Sequence, residues 1–137
     1  MSKLQIATSG VLVLSAIIGA TILRTDGYLW AAAPSHAYGL IAFAAVDLGL
    51  AMVVWRATKK VLLASALLGA VQFTAMAGDV FVGQPAGLTA SLWEQYLLGD
   101  TYFVVLLFVQ LVVVAVALLG LVYRQSADST VLKVLEP

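Results

Sequence analysis

The sequence predicts an all-α integral membrane protein, a four-helix bundle that forms a single domain over residues 1–137. The first observation is composition: 63% of the residues are hydrophobic and 10% are charged, whereas soluble proteins carry about 25% charged residues. The mean hydropathy of +1.06 agrees with this contrast. The second is a set of four long apolar runs, since about 20 helical residues cross the hydrocarbon of a bilayer. The third is the clustering of basic residues on one predicted side of the membrane.

The predicted spans take the apolar runs in order: residues 5–23, 35–56, 61–78 and 101–123. The first span carries a stripe of small and polar residues at helical spacing, namely Thr8, Leu12, Ser15 and Gly19. Such stripes allow helix backbones to approach closely. Residues 24–34 are expected to form a loop, because Asp26-Gly27 is a turn signal. The tail after Tyr123 is expected to fray or to contact a partner.

The basic residues predict the orientation. Arg56, Lys59 and Lys60 form a cluster without a neighbouring acid, and the positive-inside rule places such a connection in the cytoplasm. Lys3, Arg124 and Lys133 fall on the same side in a four-span topology. The opposite side carries Asp26, Asp79, Glu94 and Asp100, with Arg24 as its only basic residue. We therefore expect a multi-pass protein of the cell (plasma) membrane with both termini in the cytoplasm.

The connection over residues 79–100 is long for a helical bundle. Residues 89–98 read as a short amphipathic helix that ends at Gly99. Its apolar side is predicted to consist of Leu88, Leu92, Trp93 and Tyr96. We expect this helix to lie on the outer membrane surface as a lid over the bundle. The alternative is a re-entrant or packing loop without a functional role.

Asp47 lies near the middle of the second span, where an aspartate costs about 2.5–3.5 kcal/mol of insertion free energy. The apolar residues around it offset that cost, but the carboxyl group should face protein or water, protonated or hydrogen-bonded. Gln110 occurs at a similar depth in the fourth span, so a Gln110–Asp47 hydrogen bond is predicted. Gln72 belongs to the most polar stripe of the chain, which comprises Ser65, Gly69, Gln72, Met76 and Asp79.

His36, the only histidine, precedes Asp47 by eleven residues, which is close to three helical turns. The two side chains therefore share one face of the second span. One interpretation is a buried proton or ligand path formed by Asp47, Gln110, Gln72 and His36. It would be entered from an outer vestibule of His36, Asp79, Trp93, Glu94 and Asp100. The other is an interfacial histidine above a carboxyl group that hydrogen-bonds a neighbouring helix.

Several chemistries have no residues to support them. The absence of cysteine excludes disulfides, thiol catalysis and cysteine-ligated clusters. No phosphate-binding loop, nucleophile elbow or metal-ligand spacing occurs, so no catalytic or metal residue is predicted, the cofactor is unknown and enzymatic activity is undecided. A formal net charge of zero gives no reason to expect a nucleic-acid partner. The chain also lacks asparagine, and low Asn and Cys content is a trend of thermophilic proteins.

Three functions fit these features. The first is a small accessory subunit of a larger membrane complex, for example a respiratory or redox complex, with the lipid bilayer and other membrane subunits or a second copy as partners. The second is a proton-coupled carrier or channel that acts as a homodimer through Asp47. The third is a quinone- or haem-binding membrane module that uses His36.

Overall fold

The computed structural model describes residues 3–56 and 58–135, with side chains as far as residue 126. The described chain is helical, and its helices are α1 (Lys3–Thr25), α2 (Gly27–Ala32), α3 (Pro34–Val54), α4 (Lys59–Val82), α5 (Ala90–Gly99) and α6 (Thr101–Leu135). Four of them, α1, α3, α4 and α6, are long and apolar enough to cross a membrane. The prediction of an all-helical protein with four membrane-length helices is therefore confirmed.

Local signals explain where the helices begin. Pro34 opens α3, where the missing N–H of proline costs little. Thr58 and Thr89 cap α4 and α5, since each hydroxyl group accepts a hydrogen bond from a backbone N–H of the first turn. Asp26 caps α2 in the same way, with 2.9 Å between its Oδ1 and the Leu29 nitrogen. The expectation of a loop over residues 24–34 was wrong, because this cap supports a short helix.

Three helices end later than the sequence suggested: α1 by two residues, at Thr25, and α4 and α6 by more. The third span was expected to end at Gly78, but α4 continues to Val82 and includes Asp79. Its end coincides with Gly83, the first residue of the segment Gly83-Gln84-Pro85 that breaks the chain. α6 does not end at Tyr123 but runs on to Leu135, so the backbone of the tail is helical.

The long helices pack in the order α3–α1–α6–α4. α1 packs extensively on α3 and α6, and α4 on α6, whereas α3 and α4 touch much less. Glycines permit the close approaches: a Cβ atom at Gly69 would lie 3.1 Å from Val113, and one at Gly19 would lie 3.5 Å from Leu40. The bundle therefore has one loose seam, between α3 and α4.

Two apolar clusters form the core, with polar residues between them. The first lies beneath α2 and α5 and includes Ile22, Ala37, Val80, Trp93 and Phe103. The second lies towards the opposite end and consists of Leu12, Ala51, Val54 and Val113. On α1, α3 and α6 the polar residue of the middle layer occurs between members of the two clusters. The bundle is thus apolar, polar and apolar again along its length.

Helix α5 packs on the bundle through a face that shares Trp93 and Tyr96 with the predicted one but replaces Leu92 by Leu97. Trp93 is 0% exposed and Leu97 is also buried, while Leu92 is 53% exposed. The indole Nε1 of Trp93 donates to the Asp79 carbonyl oxygen at 2.9 Å, which ties α5 to the end of α4. The assignment of Leu92 to the packed side was wrong, because residues 93, 96 and 97 define the inward face at helical spacing.

Candidate functional site

Four buried polar side chains meet in the middle of the bundle, one from each long helix. We call this group the central network; its members are Ser15, Asp47, Gln72 and Gln110. Gln72 Nε2 donates to Asp47 Oδ1 at 2.8 Å, and Ser15 Oγ donates to Asp47 Oδ2 at 2.5 Å. Gln110 Nε2 donates to Ser15 Oγ at 2.7 Å. Both carboxylate oxygens of Asp47 are therefore bonded within the protein.

The predicted direct bond between Gln110 and Asp47 was wrong. Ser15 stands between them, because α1 lies between α3 and α6 in the bundle. Sequence reasoning had placed Ser15 only in a packing stripe. Counting residues from the helix ends could have identified Ser15. Ser15, Gln72 and Gln110 each lie roughly 15 Å from the helix end that belongs to the same side of the bundle.

The contacts of the central network are of the kind that holds helices in register. Asp47 is only 1% exposed, and its donors are neutral amide and hydroxyl groups with no Lys, Arg or His among them. Interhelical hydrogen bonds in an apolar interior fix helix register, because each misalignment leaves a polar group without a partner. Gln110 Oε1 is the one buried side-chain oxygen or nitrogen of the described residues that has no hydrogen-bond partner.

A cavity of about 360 Å³ lies near the end of the bundle that carries α2 and α5. We call it the end pocket. It sits at the loose seam, with α3 on one side and α4 on the other. Its deeper lining is apolar and includes Leu40, Phe43, Ala75 and Met76, and its polar lining comprises Asp26, Ser35, His36, Asp79, Tyr96 and Asp100. The arrangement suits a molecule with one polar and one apolar part.

The best-defined polar contact of the end pocket joins His36 to Asp79. His36 Nε2 lies 2.6 Å from Asp79 Oδ1, and the imidazole donates because a carboxylate oxygen accepts. Their side chains are 27% and 19% exposed. The Trp93 ring stands edge-on to His36 with 5.3 Å between the ring centroids. The pair is therefore held in place from behind while remaining reachable from the pocket.

Gly83 makes room for this pair. A Cβ atom at residue 83 would overlap the Asp79 carboxylate and would also lie 2.8 Å from the Asp79 carbonyl oxygen. In the sequence Gly83 reads only as a helix breaker. Its second role depends on a side chain one turn earlier in α4, which the sequence gives no means of placing.

The rim of the end pocket is built from Asp26, Tyr96 and Asp100. Asp26 Oδ2 accepts a hydrogen bond from the Tyr96 hydroxyl, and burial raises the pKa of the Tyr96 phenol above its ordinary value, with the Asp26 contact adding to the shift. Asp100 Oδ1 accepts from the Tyr102 backbone N–H at 2.9 Å. Neither Asp26 nor Tyr96 was among the predicted site residues, although Tyr96 was assigned to the correct face of α5.

The residues predicted for the vestibule divide into three groups. His36, Asp79 and Asp100 line the end pocket. Trp93 is buried behind His36 and supports it, while Glu94 is exposed on α5 and is not part of the lining. The end pocket does not extend as far as Asp47, so it covers only the outer part of the path predicted from His36 to Asp47. The lining stops at Phe43 and Met76, each four residues, or about one turn, short of Asp47 and Gln72.

The described side chains, residues 3–56 and 58–126, contain no group of three or more His, Asp or Glu that could hold a metal ion. Haem fits poorly, because His36 Nε2 is already bonded to Asp79. Comparison with protein families, curated proteins and solved structures gave no match for this chain.

Proposed function

We propose that this protein is a small integral-membrane accessory subunit that binds a membrane-soluble small molecule in its end pocket. One observation carries the proposal: a cavity of about 360 Å³ with an apolar interior and the His36–Asp79 pair at its polar end. Small-molecule sites are concave, largely apolar and roughly 300–1,000 Å³ in volume, with few convergent polar groups. The loose seam between α3 and α4 gives such a ligand a route from the bilayer.

Binding rather than catalysis is the contribution that the residues support. The side chains around the pocket include one imidazole and several carboxylates, but no cysteine, and the one serine, Ser35, is an exposed neighbour of His36. A chain with little mass outside its helices is suited to work beside other membrane proteins. A quinone remains a candidate ligand, since His36 can hydrogen-bond a carbonyl oxygen.

The ligand test uses a blocked pocket. Gly39 lines the end pocket on α3, and a Cβ atom there would meet no atom within 4 Å, so Gly39→Phe should fill the cavity without disturbing the helix packing. Gly49→Phe, on the same helix but outside the lining, is the matched control. We expect mass spectrometry of protein purified from source membranes to show an enriched small molecule with the wild type and Gly49→Phe only. Equal recovery with Gly39→Phe would reject the proposal.

The accessory role has its own test. Native mass spectrometry of complexes extracted in mild detergent should show the chain with stoichiometric partner subunits. Recovery of the chain alone, after cross-linking in the source membrane as well, would reject the role in a larger complex while leaving the binding proposal in place.

We also propose that both termini lie in the cytoplasm and that the end pocket faces outward across the plasma membrane. The support is charge: among described side chains, Lys3, Arg56, Lys59, Lys60 and Arg124 lie at one end of the bundle, and Asp26, Asp79, Glu94 and Asp100 at the other. Because the chain has no cysteine, Glu94→Cys and Lys60→Cys each introduce a single label site. An impermeant maleimide should label position 94 in intact cells; labelling at position 60 instead would reverse the topology.

A proton-coupled carrier is the second candidate, favoured by the position of Asp47 among four helices without a basic partner. Purified protein in liposomes would then show proton-coupled flux that Asp47→Asn abolishes. Flux that survives Asp47→Asn, or wild-type liposomes without flux, would remove this candidate.

A further inference from the structure

We infer that the end pocket selects a positively charged amphiphile, with an amine or quaternary ammonium group on an apolar body, over neutral or anionic molecules of the same size. The inference rests on the proposed ligand-binding function. Its first support is the charge of the lining, which contains three carboxylates and one imidazole. None of the described lining residues is Lys or Arg. The formal charge of the lining therefore stays negative whether His36 is neutral or protonated.

The three carboxylates differ in how many of their oxygens accept a hydrogen bond from the protein. Asp26 uses both oxygens within the protein, one for the Leu29 N–H and one for the Tyr96 hydroxyl. Asp79 and Asp100 each accept one bond, from His36 and from the Tyr102 N–H, and the described residues place no donor on their second oxygens. Two carboxylates thus keep an acceptor oxygen for a ligand. An anionic head would have to approach these oxygens without a Lys or Arg among the described lining residues to receive it.

Aromatic rings supply a second attraction for a cation. Tyr96, Phe43 and Phe103 all contribute to the lining, and the faces of aromatic rings attract ammonium groups. The Tyr96 ring is held by its hydroxyl contact with Asp26 and by Trp93, whose ring centroid is 5.3 Å away. A ring fixed in this way loses little further side-chain freedom when a ligand binds beside it.

The order of groups along the pocket matches an amphiphile. Asp79 and His36 lie near the helix ends, while Phe43 on α3 lies seven residues, roughly 10 Å, deeper than His36. A charged head at the rim therefore places its apolar body against Phe43 and Met76. Arg24, the basic residue at this end, is exposed on the last turn of α1 and is not part of the lining. Arg24 therefore does not occupy the acceptor oxygens of the pocket carboxylates.

The experiment compares three ligands with one body. A 4-phenylbutyl group carrying trimethylammonium, hydroxyl or carboxylate is titrated against full-length protein in nanodiscs of zwitterionic lipid, with empty nanodiscs correcting for partition into the bilayer. We expect the ammonium compound to bind roughly tenfold tighter than the alcohol, the effect of a favourable cation–π contact or a partly screened ion pair. The carboxylate compound should show no saturable binding.

A charge variant assigns the preference to the pocket. Asp100→Asn keeps the helix cap, because asparagine caps as well as aspartate, but removes one lining charge. It should lower the affinity for the ammonium compound more than the affinity for the alcohol, and so reduce the ammonium preference. Glu94→Gln removes a charge at the same end outside the lining and should change neither affinity.

The outcomes separate the two proposals. If the alcohol, or a short-chain quinone added to the series, binds as tightly as the ammonium compound and Gly39→Phe abolishes that binding, charge selection is overturned and ligand binding stands. If Glu94→Gln lowers the preference as much as Asp100→Asn, the selectivity belongs to the surface field, and the inference fails. If none of the compounds binds, and Gly39→Phe purified from source membranes carries the same small molecules as the wild type, both proposals are rejected.

Discussion

The central network and the end pocket each contain an aspartate that accepts a hydrogen bond from a neighbouring helix. They differ in whether a carboxylate oxygen is left without a partner inside the protein. In the centre, Asp47 has both oxygens bonded and is closed off from solvent. At the end, Asp79 has one oxygen bonded to His36 and stands beside a cavity. The acid that costs most to insert is thus saturated by its own protein, and the acid nearer the surface retains binding capacity.

The difference follows from the surroundings of each group. In an apolar interior an unpaired polar group costs free energy, so the bundle is stable only if fixed donors of the protein bond to Asp47. Near the helix ends water can serve as a partner, so His36 and Asp79 need not be saturated by the protein. A polar residue at mid-depth therefore predicts helix packing here, while a partly exposed pair against an apolar cavity predicts a ligand site.

Removing the central acid is expected to have the largest effect on stability. Asp47→Ala leaves the Ser15 hydroxyl and the Gln72 amide buried without their acceptor, and each such loss costs about 1–3 kcal/mol. We expect the free energy of unfolding in mixed micelles to fall by roughly 2–4 kcal/mol. Val46→Ala, an exposed position one residue earlier, is the control. Equal losses for the two variants would show that the network does not hold the bundle together.

The two glutamines of the network give the next effect and refine the comparison. Gln72 donates directly to Asp47, whereas Gln110 donates only to Ser15 and has a carbonyl oxygen without a partner. Gln72→Leu should lower the free energy of unfolding by about 1–2 kcal/mol, while Gln110→Leu should stay within about 0.5 kcal/mol because it also removes an unsatisfied oxygen. Denaturant titration of both variants decides the order, and the reverse order would contradict the bonding described for Asp47.

Much of the architecture was predictable, because the membrane imposes strong rules on composition. Apolar run length predicted four long helices, and the insertion cost of Asp47 predicted that it faces the bundle. Thr8 and Ser15 of the first span, and Gln72 of the third, proved to be buried. These inferences needed only helical periodicity, which is a local property of the chain.

The failures concern contacts between distant segments. The sequence could not show that α1 separates α3 from α6, so Ser15 was missed as the link between Asp47 and Gln110. It placed His36 on the Asp47 face of α3, but the partner that determines the role of His36 is Asp79, 43 residues away. The short capped helix α2 was missed as well, since six residues carry too little periodicity to outweigh a turn signal.

A smaller effect on stability, but a specific one on the end pocket, is expected from Gly83→Ala. The added methyl group overlaps the Asp79 carboxylate and should displace it from His36. Because His36 is the only histidine, its rate of modification by diethyl pyrocarbonate reports on this pair, and we expect faster modification. The free energy of unfolding should fall by about 1 kcal/mol, since the methyl group also crowds the Asp79 carbonyl oxygen.

The control for that change is Gly78→Ala, one turn earlier on α4, where an added Cβ meets no atom within 4 Å. This variant should leave the His36 modification rate at the wild-type value. An unchanged rate in Gly83→Ala would mean that the carboxylate can move without releasing His36, and the pair would then be less tightly positioned than the central network.

The smallest effect should come from Tyr96→Phe, and it depends on pH. Burial raises the pKa of the Tyr96 phenol, so the folded protein favours the neutral form; this contribution is complete below the ordinary pKa of 10 and is lost as the pH rises above it. Because the variant also loses the hydrogen bond to Asp26, the free energy of unfolding of the wild type should exceed that of Tyr96→Phe by about 1 kcal/mol near pH 8. Thermal unfolding between about pH 8 and 11 should show that margin shrinking above pH 10, whereas Tyr38→Phe, at an exposed ring, should show no such trend. A margin that stays constant to pH 11 would mean that the Tyr96 hydroxyl is open to water in the folded protein, and Tyr96 and Asp26 would then not form a closed rim on this side of the end pocket.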